Sequence, residues 1–174
     1  MTNKTILILH GWESNPREHW YKSAKEKFEK MGYTVYTPEL PGAYFPKLAQ
    51  WIEIIASFHP NENWILIGHS LGGVACLKYL ENCDTKVGQT IILASPFDTV
   101  NLGAINNFFE ADFNFKKIRE NCAKFDAIYE DNDPAVPLNH GQKFAEKLNC
   151  KLTIVKGYTH LGTMDINILE NIIK

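Results

Sequence analysis

The chain has 174 residues, enough for one sizeable core, and its 45% hydrophobic and 22% charged residues are those of an ordinary globular protein. A formal net charge of −2 and a pI of about 6.3 offer no electrostatic attraction to nucleic acid or an anionic membrane, so neither is expected as a partner. The apolar run 6–9 is too short for a signal-peptide core or a membrane span, and Cys76, Cys83, Cys122 and Cys150 lack C-x-x-C or zinc spacing, so free thiols in a cytoplasmic, metal-free protein are expected.

Thr5–Leu9 reads as a first strand, ending in His10-Gly11-Trp12. Asn15 as N-cap, Pro16 at the first helical position and Glu18 three residues after the cap predict a helix start. Trp20, Ala24, Phe28 and Met31 share its apolar face, Lys25, Glu26, Lys27 and Glu29 lie outside it, and Gly32 closes it. Residues 33–37 form a second strand, and Pro38-Glu39-Leu40-Pro41-Gly42 a rigid turn. Pro46 opens a helix with the stripe Leu48, Trp51, Ile52, Ile55 and Phe58, stopped by His59-Pro60.

The third strand, 64–67, ends abruptly in Gly68-His69-Ser70-Leu71-Gly72 and is followed by a helical pattern carrying Val74, Leu77 and Leu80 or Tyr79 inward. Residues 89–94 are a fourth strand leading into Ser95-Pro96-Phe97-Asp98. From 99 to 121 the periodicity loosens, while Phe108, Phe109, Phe113 and Phe115 crowd together. Residues 125–129 form a fifth strand, Leu138–Leu148 a helix and 152–155 a sixth strand. The loop Gly157-Tyr158-Thr159-His160 follows, then a helix marked by Ile166, Leu169, Ile172 and Ile173. There is no internal repeat or low-complexity linker, so residues 1–174 are expected to form one domain.

Short buried strands alternating with helices predict an α/β fold with a parallel sheet covered on both faces. Right-handed crossovers then bring His10-Gly11, Ser70, Asp133 and His160, each beyond a strand end, to one edge of that sheet. A serine hydroxyl is a weak nucleophile and needs a base oriented by a third group. G-x-S-x-G between a strand and a helix supplies the serine, Ser70, with small residues where a tight turn needs them. His160 is the expected base and Asp133, in Asp133-Pro134-Ala135-Val136-Pro137, its orienting acid. Asp131 and Asp98 are alternative acids, since each also follows a strand. His140 reads as a surface or capping residue, and His69 should point away from Ser70 across the turn.

The oxyanion donors expected are the backbone N–H groups of Leu71 and Trp12. Phe97, Phe108 and Phe109 are candidate substrate contacts in a segment, 97–115, that reads equally as a lid or as core aromatics. There is no lysine for a phosphate-binding loop and no G-x-G for a dinucleotide, so no cofactor is implied.

Together, His10-Gly11-Trp12, Gly68-His69-Ser70-Leu71-Gly72-Gly73, Asp133-Pro134-Ala135-Val136-Pro137 and His160 resemble the α/β-hydrolase superfamily. The compact length, the Trp20 helix and the Pro38-to-Gly42 turn resemble its small serine hydrolases related to retinoblastoma-binding protein nine. The resemblance implies a reduced hydrolase core of six parallel strands in the order 2-1-3-4-5-6, and hydrolysis of a small ester, thioester or amide through an acyl-serine. The alternative is a non-catalytic interaction module on the same fold, against which the complete residue set argues. Leu-x-Cys-x-Glu, the retinoblastoma-pocket motif, is absent: Leu148-Asn149-Cys150 continues as Lys151-Leu152, so that partner is not carried over. In the histidine loop, Thr159-His160 replaces the Gly-His pair often found in the superfamily.

Overall fold

The computed structural model describes residues 4–42 and 44–173; residues 1–3, Ala43 and Lys174 of the expected domain lie outside the described residues. Six strands, β1 (Thr5–Leu9), β2 (Thr34–Tyr36), β3 (Trp64–His69), β4 (Gln89–Leu93), β5 (Phe125–Glu130) and β6 (Lys151–Val155), form one sheet in the order β2-β1-β3-β4-β5-β6. Every pairing is parallel, as the alternation of strands and helices and the resemblance both implied.

The apolar runs of the inner strands β1, β3 and β4 are continuous because the sheet is buried on both faces there, while the edge strands β2 and β6 are partly exposed. Leu7, Leu9, Leu66, Ile92 and Ala127 point to one core, packed with α2 (Leu48–Ser57), α3 (Leu71–Leu80), α4 (Phe115–Glu120) and α5 (Leu138–Leu148). Ile6, Ile8, Ile65, Ile67, Ile91 and Leu93 point to the other, covered by α1 (Tyr21–Lys30) and α6 (Asn167–Ile173).

Helix α3 departs from the expected one-sided stripe, since every residue from Leu71 to Leu80 is buried. Even Lys78 is enclosed: its ammonium donates to the carbonyls of Ala111 (2.8 Å) and Asp112 (3.2 Å) and lies 4.6 Å from the Phe113 ring centre. Those bonds tie the loosely patterned segment over the helix, where it forms a 3₁₀ turn (Gly103–Phe108) followed by α4.

The start of α1 is also corrected. Asn15 does accept from Arg17 N–H (3.0 Å) and reach Glu18 (2.7 Å), but these bonds close a single turn. His19 then takes a positive φ of 53°, and the helix begins at Tyr21. The capping signature is satisfied locally, while burial of Trp20 and Tyr21 resets the chain direction after it.

Candidate functional site

Strand β3 delivers Ser70 to the carboxyl edge of the sheet in a backbone conformation (φ 53°, ψ −124°) that residues with a Cβ seldom adopt. The turn is held by Ser70 N–H donating to Leu93 O of the neighbouring strand (2.7 Å) and by Gly73 N–H donating to Ser70 O (3.1 Å). Its tightness explains two glycines. A Cβ on Gly68 would run into the Gly73 backbone, and one on Gly72 would stand 2.5 Å from His10 O. The β1 loop presses on Ser70 from the other side: a Cβ on Gly11 would stand 2.9 Å from Ser70 Cβ.

His10 orders that loop. Its Nε2 accepts the Leu40 N–H (2.9 Å), so Nδ1 carries the proton and donates to Gly11 O (2.9 Å). Burial lowers its pKa and favours this neutral state. Trp12 leaves the loop with its indole N–H donating to Tyr44 O (3.0 Å).

Asp133 and His160 meet beyond β5 and β6. The carboxylate is held at both oxygens: Oδ1 accepts the N–H groups of Ala135 (2.7 Å) and Val136 (2.9 Å), and Oδ2 accepts His160 Nδ1–H (2.8 Å). Burial alone would raise the Asp133 pKa, but the hydrogen bond and charge of His160, with the two backbone donors, outweigh it and lower it. Because the carboxylate only accepts, His160 Nδ1 bears a proton, so in the neutral ring the lone pair lies on Nε2. The Asp133 side chain is fully buried while His160 retains 24% exposure, so the outer ring nitrogen belongs to the accessible partner of the pair. Among the described residues, no hydrogen bond joins Ser70 Oγ to this pair.

The alternative acids are occupied elsewhere. Asp131 pairs with Lys156 (3.3 Å), and Asp98 Oδ1 accepts the Val100 N–H (3.1 Å). Phe97 and Phe109 line a cavity of about 390 Å³ together with Phe113, Phe115, Asp98 and Lys143; Ser70, Asp133 and His160 do not line it. Phe108 is corrected: it is wholly buried and packs edge-on against Trp51 at 5.2 Å, so it is a core residue with no face toward a substrate. His140 is corrected from the surface to the interior, where its Nδ1 accepts the Phe97 N–H (2.8 Å) and burial lowers its pKa.

Two residues make contacts beside Asp133 and His160 that the sequence does not signal, His69 and Tyr21. His69 points away from Ser70 as expected, but its Nε2 bonds the backbone carbonyl of His160 (2.7 Å) and its Nδ1 bonds the Tyr21 hydroxyl (2.6 Å). Burial, reinforced by the charge of His160, pulls the His69 pKa down to about 3. Neither partnership is visible in sequence, because each joins residues far apart in the chain. Among the described residues there is no group of three or more His, Cys, Asp or Glu that could hold a metal ion, and no helix is long and apolar enough to cross a membrane.

A family model described as Serine hydrolase matches residues 6–165. The Bacillus subtilis (strain 168) protein YdeN, which carries a hydrolase name, is 26% identical over 162 residues, covering 90% of this chain and 85% of its own. Serine hydrolase RBBP9 of Rattus norvegicus is 25% identical over 179 residues, covering 99% and 94%. The crystal structure of the B. subtilis ydeN product superposes with a TM-score of 0.93 at 23% identity, over 98% of this chain and 97% of that one, a likeness that shows the fold. With a sheet in the order β2-β1-β3-β4-β5-β6 and a family match across nearly its whole length, the chain has an α/β-hydrolase fold and belongs to the serine hydrolase family.

Proposed function

We propose that the protein hydrolyses a small ester, thioester or amide through an acyl-Ser70 intermediate. The observation that carries this is the 2.8 Å bond between His160 Nδ1 and a buried Asp133 carboxylate, on the sheet edge where Ser70 caps a ten-residue helix. His160 Nε2 takes the Ser70 proton as Oγ bonds to the acyl carbon, and Asp133 stabilises the imidazolium that forms. A Ser70–His160 hydrogen bond is not required before substrate binds, since such bonds tighten in the substrate complex. The N–H groups of Leu71 and Trp12 receive the oxyanion, helped by the amino-terminal dipole of α3. As the tetrahedral adduct collapses, the bond to the leaving group breaks and the His160 proton passes to that group. A water molecule then repeats the sequence, releasing the acid and restoring Ser70.

Phe97 and Phe109, in the 390 Å³ cavity beyond β4, are the proposed apolar contacts for the acyl or leaving group. The proposed setting is a single cytoplasmic domain acting on a small molecule without a cofactor, nucleic acid or membrane.

Turnover of short p-nitrophenyl esters, acyl-thioesters and anilides tests the proposal, the best substrate naming the bond class. kcat/KM should fall on acidification, because the base works only when unprotonated. Burial holds His10, His69 and His140 below the ordinary histidine pKa, and, against its burial, the His160 hydrogen bond and two backbone donors hold Asp133 below the ordinary carboxylate range, so none of these four groups accounts for the acid limb. No turnover of any of the three classes by folded protein, or a flat profile from about pH 5 to 9 with acylation limiting, would overturn it.

A further inference from the structure

The loop that carries His160 is held in an unfavourable backbone shape. His160 and Leu161 both have positive φ, 50° and 55°, and neither is glycine. Leu161 is buried in the core beside α1 and α6, and Gly162 N–H closes the turn onto Thr159 O (3.0 Å). Glu130 ties the loop upstream, accepting Tyr158 N–H (2.6 Å). At His160 itself the fixing bond comes from His69 Nε2, 2.7 Å from the carbonyl oxygen. A carbonyl only accepts, so Nε2 bears the His69 proton. Nδ1 is then a lone pair, and the Tyr21 hydroxyl must donate to it. The direction of both bonds is therefore set by the carbonyl at the end of the chain.

Tyr21 is buried, which raises its pKa, and its hydroxyl bonds His69 Nδ1 (2.6 Å). The Tyr21 hydroxyl thus anchors the residue preceding Ser70, and through it the loop of His160. The rings of His69 and His160 are 5.0 Å apart, where a second positive charge would oppose formation of the imidazolium. A buried, neutral His69 avoids that opposition.

We infer that His69 and Tyr21 are positioning residues, which hold the His160 backbone so that its ring stays on Asp133 and faces Ser70. This rests on the proposed Ser70–His160–Asp133 mechanism. Neither residue touches the reacting atoms.

Three variants test it: His69→Gln, whose amide nitrogen reaches the place of Nε2; His69→Asn, whose amide reaches only that of Nδ1; and Tyr21→Phe. Expected for His69→Asn is a fall in kcat of about 10²-fold with KM nearly unchanged, the size of effect that misplacing a reacting group by about 1 Å produces. His69→Gln should recover most of the rate, and Tyr21→Phe should lie between. The proton NMR signal of His160 Nδ1–H, assigned by its loss in His160→Asn, should stay sharp in His69→Gln and broaden in His69→Asn. If His69→Asn does not fold, a rate for Tyr21→Phe below that of His69→Gln carries the inference. Equal rates and an unchanged signal across the folded variants would overturn it. Fluorophosphonate labelling of the wild type separates the two levels. Absence of labelling removes the mechanism itself, whereas equal labelling rates in wild type and His69→Asn remove only the positioning role.

Discussion

Ser70→Ala and Ser70→Gly are both expected to lower kcat by about 10⁶-fold, the scale seen when a catalytic serine is removed, yet to differ in stability. Ser70 sits at φ 53° and ψ −124°, with its turn fixed by bonds to Leu93 and Gly73. A residue with a Cβ in such a region costs of order 1–3 kcal/mol. Alanine keeps the Cβ and so keeps the strain. Glycine releases it, and gives back about 0.4–1 kcal/mol through its freer unfolded chain. Ser70→Gly should therefore exceed Ser70→Ala by about 1 kcal/mol, or roughly 2–4 °C in Tm for a domain of this size. A calorimetric comparison reads this directly. Equal melting points would show that the elbow stores no strain, and retained turnover would move the nucleophile elsewhere.

Asp133→Asn should lower kcat by about 10⁴-fold, the scale seen when the acid of a serine protease triad is replaced by its amide. The cause lies in how the carboxylate is held. Ala135 and Val136 N–H both donate to Oδ1, so an asparagine would place its oxygen there and turn its NH₂ toward His160. His160 Nδ1 would then have to accept, moving the ring proton to Nε2 and leaving no lone pair for Ser70. The loss should appear in kcat with KM little changed. Steady-state kinetics on the best ester substrate checks this, and a loss below tenfold would mean that the 2.8 Å Asp133–His160 contact does not set the tautomer.

Much of the architecture was legible because a two-faced parallel sheet writes itself as uninterrupted apolar runs. β1, β3 and β4 were readable for that reason, whereas the edge strands β2 and β6 are partly exposed and carry weaker apolar signals; α5 was readable to the residue from its clean amphipathic spacing. What failed depended on distant partners. The Asn15 signature described a real turn, but nothing local announced that His19 would break the backbone to bury Trp20 and Tyr21. The phenylalanine-rich segment has weak periodicity because the bonds of Lys78 and the packing of Trp51 arrange it, which is why Phe108 could not be told from Phe109.

The site divides in the same way. Ser70, Asp133 and His160 could be proposed from sequence because each stands just past a strand and the topology gathers strand ends on one edge. His69 was readable as turning away from Ser70, but its bond to a backbone carbonyl 91 residues later carries no sequence pattern. A side chain that recognises a main-chain atom leaves its partner's identity unconstrained, so no residue type at position 160 could have signalled it.

The central claim is that Ser70 is the nucleophile, and fluorophosphonate treatment followed by peptide mass mapping tests it most directly. The predicted result is one adduct per chain, on the peptide containing Ser70, formed by wild type and absent from Ser70→Ala. No adduct on folded wild type, or an adduct that persists unchanged in Ser70→Ala, would contradict it.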